Sequence, residues 1–470
     1  MARPLIGRTV RRLRGERAMT QQALAARLGI SASYLNLIEH DQRAVTAAVL
    51  FKLTEVLGVD LAALSGHAER QLEAGLREVL RDPLLGVETL PEEELRAMAA
   101  AAPNASRGVL ALYRAWRVAR EDASGIALPS GRRLLLPTEE ARDFFHERAN
   151  HFPELEAATE AMQADMQAAP AEMNHAIAER LRHRHGVRVQ VIAMPQADRR
   201  FDPATRQLWL SETLPREGRG FRLAFQLMLL EAREAVDAAM SSHEPSSAEA
   251  AALIRIGLLN YATAALLMPY APFIAAARAL RHDVEALAAR FGVSFEQAAH
   301  RLSTLQRPGE NGSARGVPFF FLRLDPAGNV TKRFSAAGFP FARFGGNCPK
   351  WVVHHAFATP GQVRVQVAEL EDGAAFLCFA RAAHGATPRW GEPAPMQVVA
   401  MGCDVSRASE VAYGDGLDLA TARVGIGLSC RLCERPDCRS RAFPPLEHRL
   451  RLDANEDSAA PWRFDKGERR

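Results

Sequence analysis

Three cysteines near the end of the chain carry its strongest chemical signal. Cys430, Cys433 and Cys438 fall in C-R-L-C-E-R-P-D-C, a C-x2-C-x4-C stretch with a proline inside the loop, so three thiolates can converge on one centre within nine residues. That is one thiolate short of a structural zinc site, and the only histidine close in sequence is His448. Iron–sulfur clusters, also held mostly by four thiolates, use spacings in the same range. Either way a fourth ligand comes from elsewhere. Arg431, Arg435, Arg439 and Arg441 surround the trio, where they offset the charge of a thiolate-bound centre or contact DNA or a phosphate.

The elements that position such chemistry follow from length and pattern. At 470 residues the chain is long enough for two to four domains of roughly 100–200 residues each. Its 48% hydrophobic and 24% charged residues exclude wholesale disorder and fibrous repeats. Net charge is 59 − 55 = +4, yet residues 1–45 alone hold eight arginines against Glu16, Glu39 and Asp41, an excess of +5. A basic N-terminal block suits phosphate neutralisation on nucleic acid. The start MARPLIGRTVRRLRGER has no apolar run of signal-peptide length, and YATAALLMPYAPFIAAARAL reads as a buried helix with a proline corner rather than a membrane span. A cytoplasmic location is expected, where six cysteines are free or metal-bound rather than paired.

The first 58 residues spell short helices. Residues 8–17 form one, Thr20 caps a second that buries Leu24 and Leu28 and ends at Gly29, and Ser31 caps a third, ASYLNLIEH, with Leu35 and Ile38 inward. Val49, Leu50, Leu53, Val56 and Leu57 mark a fourth before Gly58. The stretch MTQQALAARLGISASYLNLIEHDQR resembles the DNA-binding domain of the Xre/Cro-like repressors. The resemblance implies that Gln21 and Arg43 touch phosphates while Ser31, Ser33, Tyr34 and Asn36 face the major groove of operator DNA. One such helix reads few base pairs, so a homodimer on paired half-sites is expected.

Further on, Val187–Ile192 alternates as a strand, a second strand lies near Arg206–Leu210, and a long helix starts near Gly220. This order is similar to the metallopeptidase-like domain of many Xre-type regulators, whose helix carries His-Glu-x-x-His. Here Leu230 precedes Glu231 and Glu234 stands where the second histidine would be, so zinc peptidase chemistry is excluded by its missing ligands. His183 and His185 read as surface residues.

The runs LNYATAALLMPYAPF, HDVEALAARFGVSFEQAAHRLSTLQRPG, GVPFFFLRLDPAGNVTKRFSA and GGNCPKWVVHHAF resemble the short-chain fatty acyl transcriptional regulators. That resemblance covers nearly the whole chain apart from linker and tail. It implies control of propionate/methylcitrate or acetate/glyoxylate genes by sensing short-chain acyl-CoA, and no enzymatic activity. Coenzyme A needs an aromatic for adenine, cations for phosphates and an apolar slot for pantetheine. Arg323, Lys332 and Arg333, brought to one end of a hairpin by the Pro-Ala-Gly-Asn turn, are the candidates for the phosphates, and Tyr261 for adenine or pantetheine. The resemblance also favours a [4Fe-4S] cluster, with zinc as the alternative, on Cys430, Cys433 and Cys438. Cys348, in a Gly/Pro-rich turn, is the first choice as fourth ligand and Cys403 the second, while Cys378 sits in an apolar strand.

The expected fold is multidomain α+β. An all-α helix-turn-helix occupies 1–66, a helical linker or dimerisation arm 67–133 and a degenerate zincin-like ligand-sensing domain 134–310. A β-rich C-terminal domain with the cysteine cluster follows at 311–452, then a disordered tail at 453–470. An iron–sulfur redox sensor and a DNA-linked zinc peptidase are the competing readings.

Overall fold

The computed structural model describes residues 7–469 apart from 18, 41, 44, 60–66, 83, 84, 86–89, 124–136, 195, 308–314, 342–347, 386–390, 392–394, 446, 447, 453, 454 and 456–458. The first helices are α1 (Gly7–Glu16), α2 (Gln21–Leu28), α3 (Ala32–Glu39) and α4 (Ala47–Leu57). Their ends are set by local chemistry. The Thr20 and Ser31 hydroxyls accept the backbone N–H of Ala23 and Tyr34, each at 3.1 Å, satisfying donors that a helix start leaves orphaned. Gly29 and Gly58 close α2 and α4 in the left-handed conformation that a side chain disfavours. Val10, Leu24, Leu28, Leu35, Ile38, Leu53 and Leu57 form the small core, and Arg14 holds the buried Glu39 carboxylate through bonds of 2.7 and 3.0 Å.

The stretch expected as a linker or arm is a small helical domain with a core of its own. Helices α5 (His67–Leu80), α6 (Glu92–Ala101) and α7 (Pro103–Ala123) bury Leu72, Leu76, Val79, Leu95, Ala99, Leu110 and Tyr113 together. Arg77 reaches Glu73 at 2.7 Å and Glu92 at 2.6 Å, and Arg81 reaches Glu92 at 2.6 Å, locking α5 to α6. Arg12 of α1 donates to the Ala100 carbonyl at 3.1 Å, so the arm is docked on the DNA-binding helices. The expected boundary at 124–133 lies outside the described residues.

The middle and C-terminal regions share one core rather than two. Helices α8 (Pro137–Glu147), α9 (Pro153–Met166) and α10 (Met173–His185) lead into strands β1 (Arg188–Ile192), β2 (Arg199–Asp202) and β3 (Gln207–Ser211). The sheet order is β1-β3-β2, with β1 parallel and β2 antiparallel to β3. Then come α11 (Arg216–Glu231), α12 (Arg233–Met240), α13 (Ala248–Leu267), α14 (Tyr270–Ala279), α15 (Val284–Phe291) and α16 (Phe295–Leu302). Helix α13 is long and apolar enough to cross a membrane, but Ile254, Leu258, Tyr261, Ala262 and Leu266 bury it in the core, and Pro269 turns the chain into α14.

A six-stranded sheet follows, ordered β5-β4-β8-β7-β6-β9: β4 (Phe320–Leu324), β5 (Val330–Ser335), β6 (Val363–Glu369), β7 (Ala375–His384), β8 (Met396–Asp404) and β9 (Arg423–Gly425). Alternation sends its two faces to different cores. Phe319, Phe321, Leu377, Phe379, Val399, Met401 and Cys403 join the α8–α16 core. Phe320, Leu322, Phe376, Cys378, Val398 and Ala400 face the opposite layer with Phe339, Trp351 of the turn before α17 (Val352–His355) and Cys348. The tail is not disordered throughout: β11 (Phe464–Arg469) pairs antiparallel with β10 (His448–Leu450), because Phe464 is a fully buried anchor stacked on His448.

At the centre of the shared core lies a fully buried ion pair. Arg301 binds Glu156 through bonds of 2.6 and 2.9 Å and donates to the Met268 carbonyl at 2.9 Å. Burial pushes the Glu156 carboxyl up, but the Arg301 charge and the hydrogen bonds from Arg301 and Tyr261 outweigh it and hold the carboxyl below its usual range. The stabilisation of a depressed carboxyl is present above the unfolded-state value and is lost as pH falls through the folded one. Arg301→Met therefore destabilises the protein by about 3–5 kcal/mol near neutral pH, because it strands a buried charge. Urea denaturation should show that deficit narrowing in acid as Glu156 protonates; an unchanged midpoint would refute it.

Candidate effector cleft and cysteine loop

On the helix-turn-helix, Ser33, Asn36 and Arg43 are exposed and Gln21 half-exposed. Gln21 donates to Asn36 Oδ1 and to Glu39, both at 3.1 Å, which fixes the start of α2 against α3. The Ser31 hydroxyl is occupied as the α3 cap, and the Tyr34 ring packs on the rim of the small core.

The helix that would carry peptidase ligands instead carries a salt bridge. Glu231 takes a paired contact from Arg180 at 2.9 and 2.6 Å and a bond from His185 at 2.9 Å. His185 is thus a half-buried partner of α11 rather than a surface residue, whereas His183 is exposed on Glu179. Arg180 occupies the carboxylate that would have served a metal-bound water.

The ligand residues inferred from sequence do not converge. Tyr261 is 2% exposed and its hydroxyl donates to Glu156 at 2.5 Å, inside the closed network of the ion pair, where it presents no face to a ligand. The β4–β5 hairpin forms as expected, with Arg323 opposite Lys332 in register, but Arg333 lies opposite Leu322 and so belongs to the other face. Arg323 is bound to Glu296 at 2.9 Å. The three cations are split by the pleat of the strand, which a turn motif alone does not reveal.

A shallow, solvent-open cleft runs instead along the edge strand β5, lined by Arg142, His146, Arg333, Phe334, Ser335, Phe341, Asp143 and, from the arm, Gln71. Arg333 reaches Glu139 at 3.4 Å and Arg142 donates to the Val330 carbonyl at 3.3 Å, so α8 and β5 hold the cations at the rim. Ser335 is 8% exposed and its hydroxyl has no partner among the described residues. Burial, with help from Arg333 and Arg107 against the pull of Glu147, keeps the His146 imidazole below its ordinary value. Of these residues sequence reading found Arg333; the others come from three separate elements and share no motif.

The cysteine loop is held by arginine. Arg441, 3% exposed, donates to the Cys433 carbonyl at 2.6 Å, the Arg435 carbonyl at 3.0 Å and the Cys430 carbonyl, and lies over the Phe464 ring at 5.0 Å. Its role is thus to fold the loop as well as to supply charge. Cys348 is buried beside this loop. Burial raises its thiol, the N–H groups of Gly427 and Lys350 work against that, and Cys430 and Cys438 add to it. Gly427 also lies against Cys433, since a β-carbon there would stand 2.8 Å from the Cys433 sulfur. Cys403 is fully buried on the opposite core with Leu377 and Phe379 and does not join the loop, which removes it as a fourth ligand. Burial pushes Cys378 up to about 12. Among the described residues no three Cys, His, Asp or Glu side chains are drawn together closely enough to hold an ion. Four thiols on two adjoining loops are nonetheless the donor type that a thiolate-bound centre requires.

Residues 304–462 match the family described as short-chain fatty acyl coenzyme A regulator, C-terminal. Residues 182–303 match the IrrE N-terminal-like domain and 10–64 a helix-turn-helix. The chain is 40% identical to HTH-type transcriptional regulator RamB of Mycobacterium tuberculosis, over 98% of this chain and 99% of that one. The chain belongs to the short-chain fatty acyl coenzyme A regulators. It is also 39% identical to the propionyl-CoA carboxylase regulator of Cereibacter sphaeroides (97% and 98% covered) and 38% identical to HTH-type transcriptional regulator PrpR of Mycobacterium tuberculosis (98% and 96%). A solved Mycobacterium tuberculosis transcriptional regulator aligns with TM-score 0.66 at 38% identity, covering 70% of this regulator and 99% of that chain. All these relatives are named as regulators, not enzymes. The mixed α/β multidomain architecture expected from the sequence agrees with them.

The clamp on this regulator's cysteine loop has a measurable consequence. Arg441→Met removes several charge-assisted bonds to loop carbonyls, so Cys430 and Cys433 should react with a maleimide roughly tenfold faster or more. Unchanged labelling rates would show that the loop holds itself.

Proposed function

We propose that this regulator binds operator DNA as a homodimer through residues 1–66, and that a short-chain acyl-CoA in the β5 cleft sets its DNA affinity. The carrying observation is that the arm, through Gln71, and the sensor, through Arg142, His146 and Arg333, wall the same cleft. Phosphates suit Arg142 and Arg333, the neutral His146 ring adds a hydrogen-bonding group, Phe334 and Phe341 supply apolar wall, and the Ser335 hydroxyl suits a pantetheine amide. A ligand that touches both bodies binds their alternative arrangements unequally, which is what shifting an equilibrium requires. The arm in turn is docked on α1, so its posture reaches the DNA-binding helices. The names of the relatives support control of propionate or related short-chain acid metabolism.

A [4Fe-4S] cluster on Cys430, Cys433, Cys438 and Cys348 is the second part of this reading, with zinc as the alternative. A bound metal centre would supply the positive charge that four largely buried thiols need to ionise, and an iron–sulfur one would add electron transfer. One observation favours the cluster as an input in its own right. The Glu371 carboxylate accepts the Glu434 N–H beside Cys433, and its charge acts on both the Cys433 thiol and Arg77 of the arm. Operator affinity measured with and without the cluster, in the absence of any acyl-CoA, distinguishes this redox-sensing reading.

Titration calorimetry of anaerobically purified protein with propionyl-CoA should give saturable binding. Arg142→Ala and Arg333→Ala should each weaken it about tenfold or more, the worth of one charge-assisted phosphate contact. No heat from a folded sample would overturn the effector reading. Gly427→Ala should lower iron and zinc content on metal analysis, since the added carbon meets the Cys433 sulfur; full metal content would sink the proposed ligand set.

A further inference from the structure

Lysine is scarce in this chain. Of its 59 basic residues only Lys52, Lys332, Lys350 and Lys466 are not arginine. Lys52 closes the end of α2, donating to the Leu28 carbonyl at 3.2 Å. Lys332 has quite different surroundings. Its ammonium rests against two rings, 5.7 Å from the centre of Phe321 and 5.6 Å from that of Phe334. Arg323 stands directly across the strands, a like charge, and the nearby Glu296 is already bound to Arg323. His300 edges the same two rings at 5.4 and 4.8 Å; it is neutral through burial and its Nε2 has no partner among the described residues. Arg301, the next cation along, is committed to Glu156. Burial and Arg323 outweigh Glu296 and bring the Lys332 amine down to about 8. A desolvated amine beside a second cation is the environment that makes lysine a nucleophile, a role arginine cannot fill.

We infer that Lys332 is an acylation site for short-chain acyl thioesters, above all an acyl-CoA drawn to the neighbouring cleft. The inference rests on the effector reading for its acyl donor: Phe334, which covers the amine, also lines the cleft. In the step, the neutral amine nitrogen attacks the thioester carbonyl carbon. A C–N bond forms, the C–S bond breaks, and the sulfur leaves as a free thiol carrying the proton shed by the amine. The product is a neutral amide whose acyl chain lies among Phe321 and Phe334, and the cation is gone. Such a mark outlasts the bound effector.

The test incubates full-length protein with propionyl-CoA and, in parallel, with the propionyl thioester of N-acetylcysteamine, which lacks the nucleotide. Mass spectrometry then follows all four lysines. Lys332 should be acylated about tenfold faster than Lys52 or Lys350. Arg323→Met should slow labelling at Lys332, because it removes the like charge and frees Glu296 for the ammonium; Lys332→Arg should abolish it. Selective labelling by the small thioester, in protein that binds no propionyl-CoA by calorimetry, would uphold the reactive lysine while the effector reading fell. Lys332 labelled no faster than the other lysines by either thioester would overturn the inference, even where propionyl-CoA binds.

Discussion

Burial of both faces of the six-stranded sheet is the constraint on which the rest of the molecule depends. Alternation along β4, β7 and β8 gives each strand two apolar faces, and an aqueous sheet cannot leave either uncovered. One face takes the α8–α16 core and the other takes the layer that carries Trp351 and Cys348. The peptidase-like helices and the cysteine loop therefore sit on opposite sides of one rigid plate. Its edges are β5 and β9, and the β5 edge is where the arm meets α8. A cleft at an unpaired strand costs no ladder hydrogen bonds, so a ligand can be admitted there without opening either core.

Arginine does the fastening at each joint. Arg12 ties α1 to the arm, Arg77 and Arg81 tie α5 to α6, Arg301 pins α9 to α16, and Arg441 gathers the carbonyls of the cysteine loop. The planar guanidinium keeps its charge when buried and bonds in two directions at once, which suits a clamp between elements. Glu231 shows the same habit replacing chemistry: where a metallopeptidase would use a glutamate to activate water, Arg180 and His185 occupy its oxygens.

Where function depended on local chemistry, the sequence was legible. Thr20, Ser31, Gly29 and Gly58 are caps whose effect needs no tertiary context, and the helices begin and end beside them. The β4–β5 hairpin was legible for the same reason. Burial was not. Tyr261 has the composition of a ligand platform, but Glu156 and Arg301, 105 and 40 positions away along the chain, enclose it. Arg142, His146, Gln71 and Ser335 carry no pattern, since their proximity is created by the docking of α5 and α8 on β5. The tail misled because one aromatic, Phe464, outweighs the polarity around it.

In the proposed reading one arm serves both inputs, because the sheet keeps the β5 cleft and the cysteine loop apart and the arm spans both. Gln71 faces the cleft, and six residues further along α5 Arg77 feels Glu371, which holds the Glu434 N–H beside Cys433. A rigid helix cannot move at one of these points without moving at the other. On the proposed reading, effector binding and the state of the cysteine loop would act on a single variable, the seating of α5, and would combine without any contact between the two sites. By linkage, whatever the loop does to effector affinity the effector must do to the loop.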